Sequence, residues 1–201
     1  ERAKGRPICA VKGAHDFLVE KGIEPELFFS VDPRDRRNNV TLETQSTVYI
    51  LSVRCAPIMF EHLKDRYVMV VHTGSSDEEN KLMHDLGAKY IIGGMSTSGL
   101  RAVNIGYYLG FRNFVMYGMA STNAPDGITK RVDGSLTGQV QGVRVGHPKN
   151  GPSFVGNIAM AQQALDFQKI YQYLPDAHIE VKGGGLLAAI IEERKKRGYW
   201  T

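Results

Sequence analysis

Three short, nearly unbroken apolar runs constrain this chain more than any other feature: Leu27–Val31 (LFFSV), Thr47–Ser52 (TVYILS) and Tyr67–Val71 (YVMVV). A strand with one wet face alternates apolar and polar residues, and these do not. Solid runs are what a parallel sheet requires when helices cover both of its faces. The intervening stretches supply the helices. Ala14–Lys21 is predicted as a helix ended by Gly22, about Pro57–Lys64 as one opened by proline, and Asp77–Leu86 as a polar one closed by Gly87. Pro7–Val11 reads as an additional strand, and strands Ala88–Ile92 and Asn113–Tyr117 bracket a helix at about Thr97–Leu109. Six such strand–helix repeats with short connections predict a doubly wound, mostly parallel α/β layer.

The pattern changes after Gly118. Residues 120–152 are rich in glycine and proline and lack a helical period, so they are expected to form an irregular insertion. Gln139, Gln141, Val143 and Val145 within it suit a short hairpin or a lid. A helix is then predicted from Pro152-Ser153 to about Tyr173, with Phe154, Ile158, Ala161 and Leu165 on one face. A last strand at Ala177–Val181 and a closing helix at Leu186–Lys196 complete a single domain spanning 1–201.

With 42% hydrophobic and 23% charged residues, a disordered or fibrous chain is excluded. No apolar run approaches the ~20 residues that span a bilayer, so no membrane partner is expected and a cytoplasmic location is. The net charge of +4 suits phosphate-bearing small molecules as well as nucleic acid and decides for neither; without interleaved aromatics or a known module, nucleic acid is not the expected partner. Cys9 and Cys55 lack metal spacing and read as reduced, buried strand thiols. Self-association is left open.

Ligands of open parallel sheets bind beyond the C-terminal strand ends, where strand order reverses. The residues at those ends are Lys12-Gly13, Asp32-Pro33-Arg34, Arg54-Cys55, His72-Thr73-Gly74, Gly93 to Ser98, and Gly118 to Asn123 with Ser121. Gly93 and Gly94 allow consecutive backbone N–H groups to converge, and Ser96, Thr97 and Ser98 add hydroxyls before a helix that runs on through Gly99 and Arg101. Such a segment suits a phosphate or carboxylate, and equally a capped helix after a tight turn. Gly99, Ala102 and Gly106 keep one face of that helix small for close packing. Asp32, directly after an apolar strand, suits ribose, magnesium or base chemistry, or an Asx turn before Pro33. Arg34, Arg36 and Arg37 form a basic cluster that reads either as solvated charge or as a phosphate contact. His15 and His72 are candidate proton carriers or surface residues. Neither a zinc-ligand pattern, a P-loop nor a G-x-S-x-G elbow is present.

Several of these segments, in order, resemble the 6-hydroxymethylpterin diphosphokinase (MptE-like) family. They are Ala10-Val11-Lys12-Gly13-Ala14-His15-Asp16, Gly22-Ile23-Glu24-Pro25, Val31-Asp32-Pro33-Arg34, and Gly93 through Ala102 running on to Tyr117-Gly118-Met119. The likeness covers roughly 5–175 and is nearest to compact members from bacteria and phages. It implies a Rossmann-like domain and a nucleotide-dependent transferase. The preferred activity is transfer of diphosphate from ATP to a pterin-like alcohol with Mg2+. The alternatives are a glycosyltransferase using a CMP- or other nucleotide-activated sugar, or a non-catalytic nucleotide binder. On that reading Gly93, Gly94, Ser96, Thr97, Ser98, Gly99, Gly13, Arg34, Gly118 and Ser121 hold the nucleotide. Asp32 holds the metal, with His15 and Arg101 completing the catalytic set. The chain departs from the family where Ala120 follows Met119 in place of an aspartate, and where Ala56 follows Cys55 in place of a histidine. On the family reading, losing that acidic group at a metal–nucleotide site weakens metal binding or abolishes turnover.

Overall fold

The computed structural model describes residues 5–74, 76–123, 129–130, 136–137, 143–146 and 153–198. Contacts within the chain gather into two compact units, Glu1–Gly94 and Met95–Thr201.

The first unit is a parallel sheet. Its strands β1 (Cys9–Val11), β2 (Leu27–Ser30), β3 (Val48–Ser52) and β4 (Tyr67–Val71) lie in sequential order. The register pairs Phe28 with Tyr49 and Ile50 with Met69, so large apolar residues stack in layers across the sheet. One face, carrying Ala10, Phe28, Tyr49 and Leu51, packs with Met59 and Leu63 from the segment of helix α2 (Pro57–His62). Phe29 and Ile50 on the other face are equally buried. Burial on both faces, at about 1.5–3 kcal/mol per large side chain, is the physical reason why β2 and β3 contain no polar alternation. The equally apolar β4 lies at the end of the sheet order with Tyr67 70% and Val70 52% exposed, so double-sided burial does not account for that run. Helices α1 (Ala14–Glu20) and α3 (Asp77–Asp85) complete the unit, with a 3-10 turn at Arg37–Asn39.

The second unit contains helix α4 (Ser98–Tyr108) and strand β5 (Asn113–Met116), followed by short antiparallel pairs. β6 (Thr129–Lys130) pairs with β7 (Leu136–Thr137), and β8 (Val143–Gly146) pairs with β9 (Ser153–Gly156). Helix α5 (Ile158–Tyr173), strand β10 (His178–Val181) and helix α6 (Leu186–Lys196) follow, with β10 parallel to β5. The core joins Leu100 and Val103 of α4, Met116, Phe167 and Ile170 of α5, Ile179, and Leu187 and Ile191 of α6. The small face of α4 has the expected consequence: a Cβ on Gly106 would stand 2.9 Å from the Phe114 ring, and one on Gly99 2.4 Å from the Met119 terminal methyl. The chain is therefore an α/β protein of Rossmann-like class. Among the described residues, no helix is long and apolar enough to cross a membrane.

Four expectations need correction. Ala88–Ile92 is not a strand. Only Ile92 bridges to Thr73, because a single apolar pair, Ile91-Ile92, precedes two glycines and gives a sheet nothing further to bury. The helix expected from Ser153 starts at Ile158, after Ser153–Gly156 has paired as a strand. Phe154 and Val155 favour extended backbone, and the Asn157 side chain caps the helix by accepting from the Met160 amide. Its buried face is Ala164, Phe167 and Ile170, whereas Ile158 is 78% and Leu165 53% exposed. Cys9 is exposed, since three-residue β1 lies at the end of the sheet and only Ala10 turns inward; Cys55 is free and buried as expected. Gln139 and Gln141 lie outside the described residues, while Val143 and Val145 belong to β8.

Candidate functional site

Parallel pairing brings the C-terminal ends of β1 to β4 to one edge of the first unit, and polar side chains collect there despite the surrounding core. Ser30, Asp32, Ser52 and Thr73 are all buried. The Ser52 and Thr73 hydroxyls hydrogen bond to each other at 2.6 Å, Ser52 Oγ also accepts from the Arg54 amide, and the Cys55 thiol donates to the Ser30 carbonyl at 3.2 Å. Burial raises the Cys55 pKa, so this thiol is a packed hydrophobe rather than a nucleophile.

Asp32 is the centre of the most charged part of this edge. Its side chain is only 6% exposed, yet it anchors two guanidiniums. Oδ1 accepts from Arg34 Nε at 2.8 Å and from the Arg34 amide at 3.1 Å. Oδ2 accepts from Arg34 Nη2 at 2.8 Å and from Arg36 Nε at 2.8 Å. The Arg34 bonds, with Arg36 adding to them against the opposing effect of burial, hold the Asp32 carboxyl far below the usual range. The backbone bond makes this the Asx turn before Pro33, and the ion pairs make it more than that. A carboxylate has about four acceptor sites, and all four are used. A magnesium ion at Asp32 therefore does not fit, and among the described residues no group of three metal-ligating side chains exists.

The same loop continues into a groove of about 500 Å³ lined by Asp35, Arg37, Asn38, Thr41 and His62. Arg37 forks onto Asp35, with Nη2 at 2.7 Å, and holds that carboxyl down at about 2. His62 Nε2 lies 2.9 Å from the Val40 carbonyl oxygen. Of these residues only Arg37 carries a sequence signal, as part of the basic cluster; His62 joins the 35–41 loop from α2, a juxtaposition that no local pattern encodes.

His15 is placed differently from its expected role. It is fully buried, edge-on to Phe28 with ring centroids 5.4 Å apart and tilted against Tyr49, and its Nδ1 is 2.9 Å from Asp16 Oδ1. A side chain enclosed in this way does not reach a substrate hydroxyl. Gly13 precedes α1 as its cap residue, after Lys12 in left-handed backbone (φ +56°).

Gly94 has φ +80°, the conformation that the glycine was expected to supply. In the second unit, the residues after Met95 already have partners. The Ser96 amide donates to Asp166 Oδ2 at 2.6 Å, and Thr97 caps α4 by accepting from the Leu100 amide while Gln163 donates to its hydroxyl at 2.9 Å. Ser98 is buried, and Gly99 lies under Met119. An anion does sit at this helix start, and it is the carboxylate of the chain's own α5. Arg101 is buried and donates from Nε to the Met95 carbonyl at 2.7 Å, which holds a left-handed residue (φ +65°) in place. Gly118 is left-handed at φ +69°, and the buried Ser121 spends its hydroxyl on the Met160 carbonyl at 2.8 Å. The Ala120 carbonyl accepts from the Leu186 amide at 2.8 Å.

The predicted residues thus separate into one polar edge around Asp32 and Arg34, and several positions whose polar atoms serve the fold. Arg36 belongs to the basic cluster read from the sequence and Thr73 to the strand-end residues, whereas Ser52 and Asp166 were not foreseen as parts of either. The spacing of arginines at two and four residues after Asp32 was the available signal for Arg36. No curated protein and no solved structure matched the chain significantly. The family model described as 6-hydroxymethylpterin diphosphokinase MptE-like matches residues 2–122, more than half of the chain, and the chain belongs to that family.

Proposed function

We propose that this MptE-like chain is a nucleotide-dependent transferase that moves a diphosphate group from ATP to the hydroxyl of a small, pterin-like acceptor. The observation that carries the reading is the pair of guanidiniums gathered on one buried carboxylate at the C-terminal edge of a parallel sheet, Arg34 and Arg36 on Asp32. Membership of the family supports the reaction class. In the reaction the acceptor oxygen attacks the β-phosphorus of ATP and the bond from that phosphorus to the oxygen bridging it to the α-phosphorus breaks. AMP leaves, and the hydroxyl proton passes to solvent. Little covalent work falls to the protein, so positioning and offset of developing charge dominate. Arg34 and Arg36 supply that offset. The groove beside Arg37 and His62 has the volume of a small-molecule site and suits the acceptor. Asp32 orients the arginines.

A second reading, nucleotide binding without turnover, is favoured by Ala120 and Ala56, which remove side chains that the family pattern supplies. One experiment separates these readings and the glycosyltransferase. Purified protein is incubated with ATP and a hydroxymethylpterin, and separately with a CMP-sugar and candidate acceptors, and products are followed by phosphorus NMR. One AMP per diphosphorylated acceptor supports the proposal. CMP release with a glycosylated product overturns it in favour of sugar transfer, and retained nucleotide with no product overturns it in favour of binding alone.

A further inference from the structure

We propose that Arg34 and Arg36, both fixed on the Asp32 carboxylate, form a clamp that binds a diphosphate group directly, with no metal ion bridging it to the protein. The choice of ligand rests on the function proposed above; the geometry of the clamp does not.

The acceptor sites of Asp32 are filled by its own loop, so what the loop offers a ligand is donors. Arg34 gives Asp32 its Nε–H and one Nη2–H, leaving both Nη1 hydrogens and the second Nη2 hydrogen, an end-on pair, for a ligand. Arg36 spends only Nε, and neither of its Nη atoms has a partner among the described residues. Two positive charges around one negative charge leave the cluster at +1, matched to an anion. The neighbouring Arg37–Asp35 pair is closed on itself and neutral. Accessibility agrees with this division of labour: the Arg34 side chain is 70% exposed and Arg36 27%, while their anchor is buried. A guanidinium presents paired N–H groups that match two oxygens of a phosphate, and two guanidiniums held by one carboxylate match the two phosphates of a diphosphate. Pro33 and the Asx turn fix the backbone between the arginines and their anchor, so little ordering remains to oppose binding.

Asp32 is accordingly a positioning residue, and its substitution separates positioning from plain electrostatics. Removing its negative charge makes the loop more positive, which by charge alone strengthens anion binding. If the arginines act only when anchored, the same change weakens it. The test is calorimetric titration of the full chain with inorganic pyrophosphate, with and without excess EDTA. The expected results are an affinity for the unaltered chain that EDTA changes less than twofold, and losses of at least tenfold in Arg36→Gln, Arg36→Lys and Asp32→Ala. Arg36→Lys keeps the charge and removes the fork, and Arg36→Gln leaves the Arg34–Asp32 pair in place should Asp32→Ala fail to fold. Binding abolished by EDTA, unchanged affinity in Arg36→Gln, or tighter binding in a folded Asp32→Ala each overturns the clamp. EDTA-resistant pyrophosphate binding without AMP formation from ATP removes the transferase reading and leaves the clamp. AMP formation with pyrophosphate affinity unaltered in Arg36→Gln does the reverse.

Discussion

Asp166→Ala tests the finding that a carboxylate of the chain already occupies the start of α4. Asp166 is partly buried on α5, and it accepts from the Ser96 amide at 2.6 Å and from Gln162 Nε2 at 2.9 Å. A hydrogen bond to a charged group contributes about 1.5–3 kcal/mol, and a carboxylate at a helix N-terminus a further 0.3–1 kcal/mol. Partial exposure places the sum at the lower end, and water can replace the lost acceptor, so a net loss of about 1–2 kcal/mol is expected. For a chain of this length, each kcal/mol lowers the melting temperature by about 2–4 °C, which gives a drop of about 2–8 °C. Thermal melts followed by far-ultraviolet circular dichroism measure it. Because the contribution is largely electrostatic, the difference between parent and variant is expected to shrink in 0.5 M salt, where the screening length falls to a few ångströms. A variant melting within a degree of the parent, or a difference indifferent to salt, would refute the assignment of Asp166 as the resident anion.

Two further outcomes follow from the same geometry. His15→Ala is expected to cost about 2–4 kcal/mol in urea unfolding, because it empties a fully buried site against Phe28 and Tyr49; loss of activity with unchanged stability would return His15 to the chemistry. The depressed carboxyl of Asp32 makes stability acid-sensitive: its contribution is complete above the unfolded carboxylate value of about 3.9 and is lost as pH falls toward its lower folded value. Urea midpoints should therefore fall between pH 5 and pH 2, and fall less steeply in Asp32→Asn, whose midpoint at neutral pH is already lowered.

Much of the scaffold was legible in the sequence because its signal was local. Tyr67–Val71 and Leu186–Lys196 match their predicted bounds, since an apolar run between polar flanks and a helix ended by basic residues each carry their own boundaries. Residues 153–157 misled because Pro152-Ser153 imitates a helix start, while the true start lies at Asn157. The buried face of α5 shifts with that start, to Ala164, Phe167 and Ile170 rather than to a stripe beginning at Phe154. The site was legible only in outline. The chain order shows that Asp32 and Arg34 follow a strand, and the Asx turn is a local consequence of that order. That Arg36 shares the same carboxylate is a matter of loop geometry. That Asp166 reaches the Ser96 amide from 70 residues away depends on how α5 packs, which no local pattern encodes. The same holds for His15, whose enclosure comes from Phe28 of β2 and Tyr49 of β3 rather than from its own helix.

The most direct measurement is a crystal structure of the chain with a non-hydrolysable ATP analogue bound. The β- and γ-phosphates are expected within hydrogen-bonding distance of the Arg34 and Arg36 guanidiniums, with Asp32 still paired to both. Phosphates seated away from those two side chains, or a metal ion coordinated by Asp32 in place of its arginines, would contradict the assignment.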